Sequence, residues 1–588
     1  MSYTGKILTF LAVIIAILSF LWILIYQLIK ENVSNLLTPS EGYVFDYIVV
    51  GGGTAGSVLA TLLTKHSNST VLLIEAGDKF GFISKIPLLA TVLQKSVNDW
   101  SFFSVPQKYS SKGLHDKRQA LPRGKGLGGS SQMNFMLHFD GYQKDFDRWQ
   151  EIGLKKWSWN NIQPFIEAAK PKSDEYFKIR RYYSKLSEAF DRAKADFEHK
   201  PWNFRRAKYT IKRGYRFGVF QKYLQTVYGK WNLKIITNAV VSRVNIQNGV
   251  AESVIVGIKN DDDGKEEKFK FTASKEIIIS AGAYQSPQIL LSSGIGPKLF
   301  LQKIRIPVQL DLPRVGHNLF DHMNLPLFVS VAEKTSINAN ALLSLREIFT
   351  YFTAGTGHFG NFGVIGNVDS MEDKGTSMLF GVGAIDESAL MSVSNFKREH
   401  FRALFPLYYN STQEGLVLIS TCLQPESRGF VTIRNNNVRR NPLINPNYLA
   451  EIEDVNCTIR AIRKSVKIVT SDAFSLLKPK IYWPKIRECS NFGPFERDLK
   501  WNQPSDNYLE CILRYVGLTS HHPGGSCAMG LTKFDGVVDQ ELRVHGVKGL
   551  RIIDASVLPT PISGNPNSII VAMAIRGAAF ILKSNKDK

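Results

Sequence analysis

The sequence predicts an α/β fold behind an N-terminal hydrophobic anchor, and three observations carry that reading. A buried-type strand runs directly into a glycine-rich turn and a helix between residues 45 and 63. A second apolar strand ends in an acid 19 residues beyond the last glycine of that turn. Ahead of both lies a run of 23 residues without a charge.

The uncharged run, Ile7 to Ile29, is apolar except for Thr9, Ser19, Tyr26 and Gln27. About 20 such residues cross a bilayer as a helix. No small-x-small cleavage site follows; Lys30, Glu31, Asn32 and Val33 come next. The run therefore reads as an uncleaved signal anchor, ahead of a cleaved signal peptide or a buried soluble helix. Lys6 and the amino terminus precede it, while Lys30 and Glu31 cancel after it. That balance puts the bulk of the chain on the lumenal or extracellular side of a membrane it spans once. Secretion after signal cleavage is the alternative. Sequons at Asn32, Asn68, Asn410 and Asn456 fit secretion but are no more numerous than chance.

Phe45-Asp46-Tyr47-Ile48-Val49-Val50 reads as the first strand. Gly51-Gly52-Gly53-Thr54-Ala55-Gly56 is a GxGxxG on Gly51, Gly53 and Gly56, and Ser57 to Leu63 continues as a helix. Thr70 to Ile74 forms the second strand and ends at Glu75. A lone GxGxxG is weak, but strand, helix and acid together make a dinucleotide-binding, Rossmann-like unit. The glycines admit a tight turn and a close approach of backbone to pyrophosphate, and the helix N-terminus offers N–H groups to phosphate. Glu75 can accept from ribose hydroxyls and would repel a 2′-phosphate. NAD and FAD remain.

A second cluster, Arg123-Gly124-Lys125-Gly126-Leu127-Gly128-Gly129-Ser130-Ser131, precedes Gln132-Met133-Asn134. Glycines among basic and hydroxyl residues suit more backbone pressed against a polyanion or a flat ring. An NAD site does not call for it; the longer FAD does.

Four stretches carry a family likeness: Arg123 to Asn134; Gly282-Ala283-Tyr284-Gln285-Ser286-Pro287 with Ser293-Gly294-Ile295-Gly296-Pro297; Val315-Gly316-His317-Asn318-Leu319-Phe320-Asp321-His322; and Arg551-Ile552-Ile553-Asp554-Ala555-Ser556. On these motifs the chain resembles the glucose–methanol–choline (GMC) oxidoreductases, particularly their arthropod FAD-dependent glucose-dehydrogenase-like members, over about residues 43 to 583. The resemblance implies an α+β molecule overall: a discontinuous FAD-binding domain and a substrate domain on an antiparallel sheet. The expected division is 1–43 for anchor and linker and 44–329 for the first FAD-binding part, with a basic insertion at about 168–234. The substrate domain follows at 330–510 and the C-terminal FAD-binding part at 511–588.

The resemblance also assigns residues. Cofactor contacts are expected from Gly51, Gly53, Thr54, Ala55, Gly56 and Glu75, and from Arg123, Gly124, Gly128, Ser130, Asn134, Phe135, Met136 and Leu137. Val241 (through its backbone, at the adenine), His521, Asp554 and Ala555 complete the set. No histidine stands between Arg123 and Asn134, so the FAD is expected to be non-covalent. Three positions depart from the family's habits: His138, Asp140 and His317.

In Ser520-His521-His522-Pro523-Gly524-Gly525-Ser526-Cys527, the family's general base falls on His522, and its partner falls on Asn565 in Ser563-Gly564-Asn565-Pro566. The chemistry suits these types. Oxidising an alcohol removes a hydroxyl proton, which a neutral imidazole takes near neutral pH. A carboxamide can donate to the developing alkoxide without titrating. His138, His322 and His545 are expected to make ordinary polar contacts. Ser568 to Phe580 is apolar on most faces and reads as a central buried helix. Residues 330–510 carry no nameable chemical motif, although Gly355 to Gly366 is glycine-rich and reads as a loop near the active site.

Composition sets the limits. Of 588 residues, 44% are apolar and 21% charged, which excludes a disordered, collagen-like or polytopic membrane chain. Five cysteines, none in a CxxC pair, exclude a disulfide scaffold and give no metal site; they allow one or two bridges with a thiol left over. The net charge is +22, and Lys170 to Lys234 holds 18 Lys/Arg against 6 Asp/Glu. This segment reads as a solvated basic face or one turned to an anionic membrane or an acceptor, with no nucleic-acid motif beside it. The expected function is oxidation of the CH–OH group of a small-molecule alcohol or sugar, with electrons passed to a quinone or similar acceptor. An oxidase is the close variant, and a binding or developmental flavoprotein with little turnover the alternative.

Overall fold

Strands that are apolar on both faces belong in a sheet covered by helices, and Val44–Val50 (β1) and Val71–Ile74 (β2) are of that kind. A computed structural model describes residues 22, 35–40, 42–170, 184–259, 264–342, 344–370, 372–384, 387–496 and 502–584. Apart from Trp22, the N-terminal run expected to anchor the chain lies outside the described residues, as do Asn32 and part of the basic segment, 171–183. Thr54–His66 (α1) connects β1 to β2, which pair in parallel from Tyr47↔Val71 to Val50↔Ile74. Leu233–Ile236 (β3) extends the sheet beyond β2. On the other side, a meander of Ala239–Gln247 (β4), Val250–Lys259 (β5) and Glu266–Ile279 (β6) runs antiparallel. The second half of β6 then pairs in parallel with β1. Leu550–Ile552, about 270 residues later in the chain, joins the far side of β6 in parallel, so this unit is discontinuous. Gly282–Ser292 (α2) follows β6 directly.

The second sheet is antiparallel throughout. Its strands lie in the order Lys480–Tyr482, Met323–Ser330 (β7), Gly415–Cys422 (β10), Gly375–Phe380 (β9), Val364–Ser370 (β8), Asn203–Arg206. Successive side chains on a strand point to opposite faces, and that alternation divides the sheet. Leu325, Leu327, Leu379, Leu416 and Leu418 point into a core with Ile452–Val469 (α3), while Pro326, Phe328, Met378, Phe380, Val417 and Ile419 line a cavity on the other face. Three strands come from outside 330–510: β7 falls in the stretch assigned to the first FAD-binding part, Asn203–Arg206 in the basic insertion, and Leu518–Thr519, paired with β7, in the C-terminal FAD-binding part. Disulfides tie Cys422, at the end of β10, to Cys457 in α3, and Cys489 to Cys511. Cys527 is a buried free thiol.

Asn567–Ser584 (α4) packs along α1. It is long and apolar enough to cross a bilayer, but Ile569, Ala572, Ala574 and Ala578 are buried in the first core, which makes it the expected central helix. The basic segment is not simply a solvated face. Arg216 is 2% exposed; it donates to the Ser84 carbonyl at 2.7 Å and to Asn134 Oδ1 at 2.7 Å, and burial lowers its pKa to about 9. Arg205 pairs with buried Asp369 and lies over the Phe139 and Tyr142 rings.

Candidate active site

Two cavities are linked through Arg123, which lines one and donates to the carbonyl of His521, a residue lining the other. The smaller, about 160 Å³, gathers the glycine-rich segments at the ends of β1 and β2. Gly51 sits at φ +98°, and a Cβ on Gly56 would fall 1.8 Å from the Gly51 carbonyl oxygen, so the turn closes only with glycine at both positions. Gly128 donates to the Gly52 carbonyl at 2.7 Å and joins the second glycine cluster to the first. Gly51, Gly53, Thr54, Ala55, Glu75, Arg123, Gly124, Ser130, Val241, Asp554 and Ala555 all line this cavity.

Others of the expected set act around it. Gly56 and Gly128 shape the turns, and Met136, buried at φ +56°, receives the Thr210 amide on its carbonyl. The Asn134 side chain accepts from Met136 N and from Arg216. Phe135, Leu137 and His521 line the larger cavity instead.

Glu75 does more than the ribose role requires. Its carboxylate accepts three backbone N–H groups, from Gly52 at 2.7 Å, Gly77 at 3.0 Å and Gly126 at 2.9 Å. Three of roughly four acceptor directions are thereby used, and the residue clasps both glycine loops from beneath. Burial raises its pKa against the pull of these donors. Asp554 similarly holds the first turn of α2, accepting from Gly282 N at 2.8 Å and Ser286 Oγ at 2.5 Å.

The cavity suits a phosphate-bearing cofactor. Arg123, Thr54 and Ser130 line it beside the glycine backbone, α1 begins at its wall, and Ser280 Oγ is buried there without a protein partner. Arg123 Nη2 donates at 2.8 Å to the carbonyl of His521, whose ring lies in the larger cavity. Buried Nδ1 of His521 also lacks a partner, and burial, then Arg123, lowers that imidazole to about 3.

The larger cavity, about 850 Å³, has His522 and Asn565 in its wall. Asn565 Nδ2 stands 3.1 Å from His522 Nε2. His522 Nδ1 stands 2.9 Å from Nδ1 of His322, and His322 Nε2 stands 2.9 Å from the Leu423 carbonyl. A carbonyl only accepts, so His322 carries its proton on Nε2. Its Nδ1 then accepts from His522 Nδ1–H, which assigns the lone pair of His522 to Nε2, facing Asn565 and the cavity. Burial, then His322, His521 and Arg123, holds His522 well below the usual imidazole range, and burial lowers His322 too. Both rings are neutral at neutral pH.

Asp321 fixes the loop that carries them. Its Oδ1 accepts from His522 N at 2.7 Å and from its neighbour His322 N, and its Oδ2 from Tyr448 Oη at 2.6 Å and Thr519 Oγ1 at 2.7 Å. The expectation of an ordinary contact for His322 is therefore corrected: it is in the site, bonded to His522. The signal was available, since Asp321-His322 closes one of the motifs that carried the family likeness. His545 does make an ordinary contact, with the Gly530 carbonyl. His138 bonds Asp140 at 3.0 Å, Asp140 bonds Lys208 at 2.7 Å, and all three line the larger cavity. Phe359 and Phe362, in the glycine-rich stretch 355–366, line it as well.

Comparison with known proteins places the chain in a family. The family model for GMC oxidoreductases matches residues 45–324 with its N-terminal part and 425–574 with its C-terminal part. The chain is 52% identical to "Neither inactivation nor afterpotential protein G" of Drosophila melanogaster, over 98% of each chain. It is 28% identical to Drosophila melanogaster "Glucose dehydrogenase [FAD, quinone]", covering 94% of this chain and 88% of that one, so its likeness to glucose dehydrogenase itself is distant. The crystal structure of pyridoxine 4-oxidase from Mesorbium loti superposes with a TM-score of 0.72 at 23% identity, over 92% of this chain and 99% of that one, and has the same fold.

Proposed function

Since the chain belongs to the GMC oxidoreductase family, whose cofactor is FAD, we propose that it oxidises the CH–OH group of a bulky, apolar alcohol and passes the electrons to a quinone or similar acceptor. The observation that carries this reading is the pairing of His522 Nε2 with Asn565 in a cavity of about 850 Å³ lined chiefly by apolar side chains such as Phe328, Met378, Phe380 and Ile419. Burying such a surface against a sugar would strip hydroxyls of water without replacing their hydrogen bonds. An apolar body gains about 25 cal/mol for each Å² it removes from water.

The residues divide the work. Bound FAD supplies the hydride acceptor. The Glu75-clasped glycine loops, Arg123, Ser130 and Asp554 would hold it in the smaller cavity. His522, kept neutral by burial, takes the hydroxyl proton on Nε2, and Asn565 donates to the oxygen as charge develops. His322 holds the base in the tautomer that puts the lone pair on Nε2. The apolar wall orients the substrate and keeps water away.

Two disulfides among the described residues support an oxidising compartment, in keeping with a catalytic part on the lumenal or extracellular side of a membrane spanned by Ile7 to Ile29. Protease protection in sealed microsomes tests that placement. The chemistry is tested by anaerobic bleaching of the flavin with a panel of alcohols. Bulky apolar alcohols should bleach it and glucose should not; bleaching by sugars alone, or by nothing, sinks the reading. Reoxidation by quinone or by oxygen then separates dehydrogenase from oxidase. The 52%-identical relative has a name that states no reaction. A binding role with little turnover would require His522→Ala to leave the biological activity intact.

A further inference from the structure

We propose that the mouth of the larger cavity is a membrane-docking face, which takes its apolar alcohol from a bilayer with anionic headgroups; this rests on the substrate class proposed above. The cavity reaches the surface at Val92, a lining residue that is 57% exposed, on the turn Pro87–Leu93. That turn packs against Phe82–Lys85, where Ile83 is 48% exposed, and against His358–Gly360. His358–Gly360 in turn packs on the helix Leu345–Ala354.

The helix Leu345–Ala354 shows large apolar side chains to solvent. Among its ten residues only Tyr351 is buried, while Leu345 is 82% and Phe349 60% exposed. Leu345 and Phe349 are four apart and so share one face. Apolar side chains displayed together around a cavity mouth mark an interaction surface.

The charges around the mouth identify the partner. Tyr351 donates to the Gly214 carbonyl at 3.1 Å, which brings the hairpin tip carrying exposed Lys212 and Arg213 to the end of the helix. Arg206 and Lys208, both exposed, line the cavity itself but pair with Asp191 and Asp140, so Lys212 and Arg213 are the cations this face offers a partner. Residues 79–98 and 205–222 contain no acid. In Leu345–Ala354 the sole acid is Glu347, and it accepts from His358 N and Nδ1. Exposed apolar side chains beside lysine and arginine match an anionic bilayer surface. A substrate of low solubility could then pass from lipid into the cavity without crossing water.

The full chain carries its own N-terminal apolar run, so membrane association alone is no readout; the contact of this face is. Four cysteines are in disulfides and Cys527 is buried, so an introduced surface thiol takes an environment-sensitive bimane label selectively. Holoenzyme in phosphatidylcholine nanodiscs, with and without phosphatidylserine, is compared for Leu345→Cys and for Leu299→Cys. Leu299 is 81% exposed and lies outside the mouth. A blue shift at 345 that requires phosphatidylserine, with none at 299, is expected. The pair Lys212→Glu and Arg213→Glu should abolish that shift. It should also slow bleaching by a vesicle-borne alcohol about tenfold, with a water-soluble alcohol unaffected. Equal responses at both sites, no response, or a shift that follows protein concentration (a second copy on the face) overturns the proposal. If no alcohol bleaches the flavin, the oxidation reading fails while the labels still report on docking.

Discussion

His322 and His522, 200 residues apart in sequence, face each other Nδ1 to Nδ1 at 2.9 Å, with their rings nearly perpendicular. The contact decides which nitrogen of His522 carries the lone pair. Without it, the Nδ1–H of a buried ring loses its acceptor and the Nε2–H tautomer competes. His322→Ala should lower the rate of flavin reduction about 100-fold at bound substrate, as misplaced catalytic groups do. His322→Asn, which returns an acceptor, should recover part of it. Stopped-flow reduction across pH 6–9 checks this; a rate loss equal in both variants would show that only packing had been lost.

The dinucleotide turn makes a sharper demand. Gly56→Ala places a methyl group 1.8 Å from the Gly51 carbonyl oxygen, so β1 and α1 must separate. The expected cost is about 3 kcal/mol, with loss of bound flavin. Flavin absorbance after gel filtration and a denaturant titration measure both. Retention of the cofactor at unchanged stability would contradict the geometry.

Cavity shape can be changed without touching the chemistry. Ile419 points from β10 into the larger cavity, whereas its neighbour Leu418 points into the opposite core. Ile419→Trp should raise KM for bulky alcohols by about tenfold or more and leave small alcohols nearly unaffected, because the added ring fills space that only a large substrate uses. Steady-state kinetics on a size-graded series decides it.

Acid should destabilise the site through its histidines. Burial holds His521 at about 3, while the unfolded chain titrates near the ordinary value of about 6.5. The unfolded state therefore takes up a proton that the folded state refuses, so stability is intact above about pH 6.5 and falls as pH drops toward the folded value. His521→Gln removes that proton. Relative to wild type, the variant should gain about 1.4 kcal/mol per pH unit below about 6.5, read from denaturant midpoints between pH 7 and 5. A pH-independent difference would rule the account out.

The two bridges close separations of 35 and 22 residues, each worth about 3 kcal/mol through the unfolded chain. Reduction should lower Tm, and thiol titration of the denatured, unreduced chain should find one group, Cys527.

The glycine turn, β1, β2, Glu75 and the central helix α4 were legible in the sequence because each is specified locally. A strand, a turn and a helix in a row need no distant partner to be recognised. His522 and Asn565 were legible from their motif context, although 43 residues separate them. The partner of His522 was not, because nothing within 50 residues of it supplies the contact. The cavity wall was not legible either. Its strands come from residues 203, 323, 364, 375 and 415 onward, and each shows alternation without saying which face meets a core and which a substrate.

The sequence by itself determined the cofactor class and singled out the residue proposed as base, since backbone that must approach a pyrophosphate leaves contiguous glycines, and His522 lies in a local motif. Tertiary structure alone decided which nitrogen of that residue carries the lone pair, the apolar character of the cavity, and the burial of Arg216 within a segment that reads as a charged surface. Those properties depend on pairings across hundreds of residues, where the energy of a side chain is set by what packs against it and no longer by its neighbours in the chain.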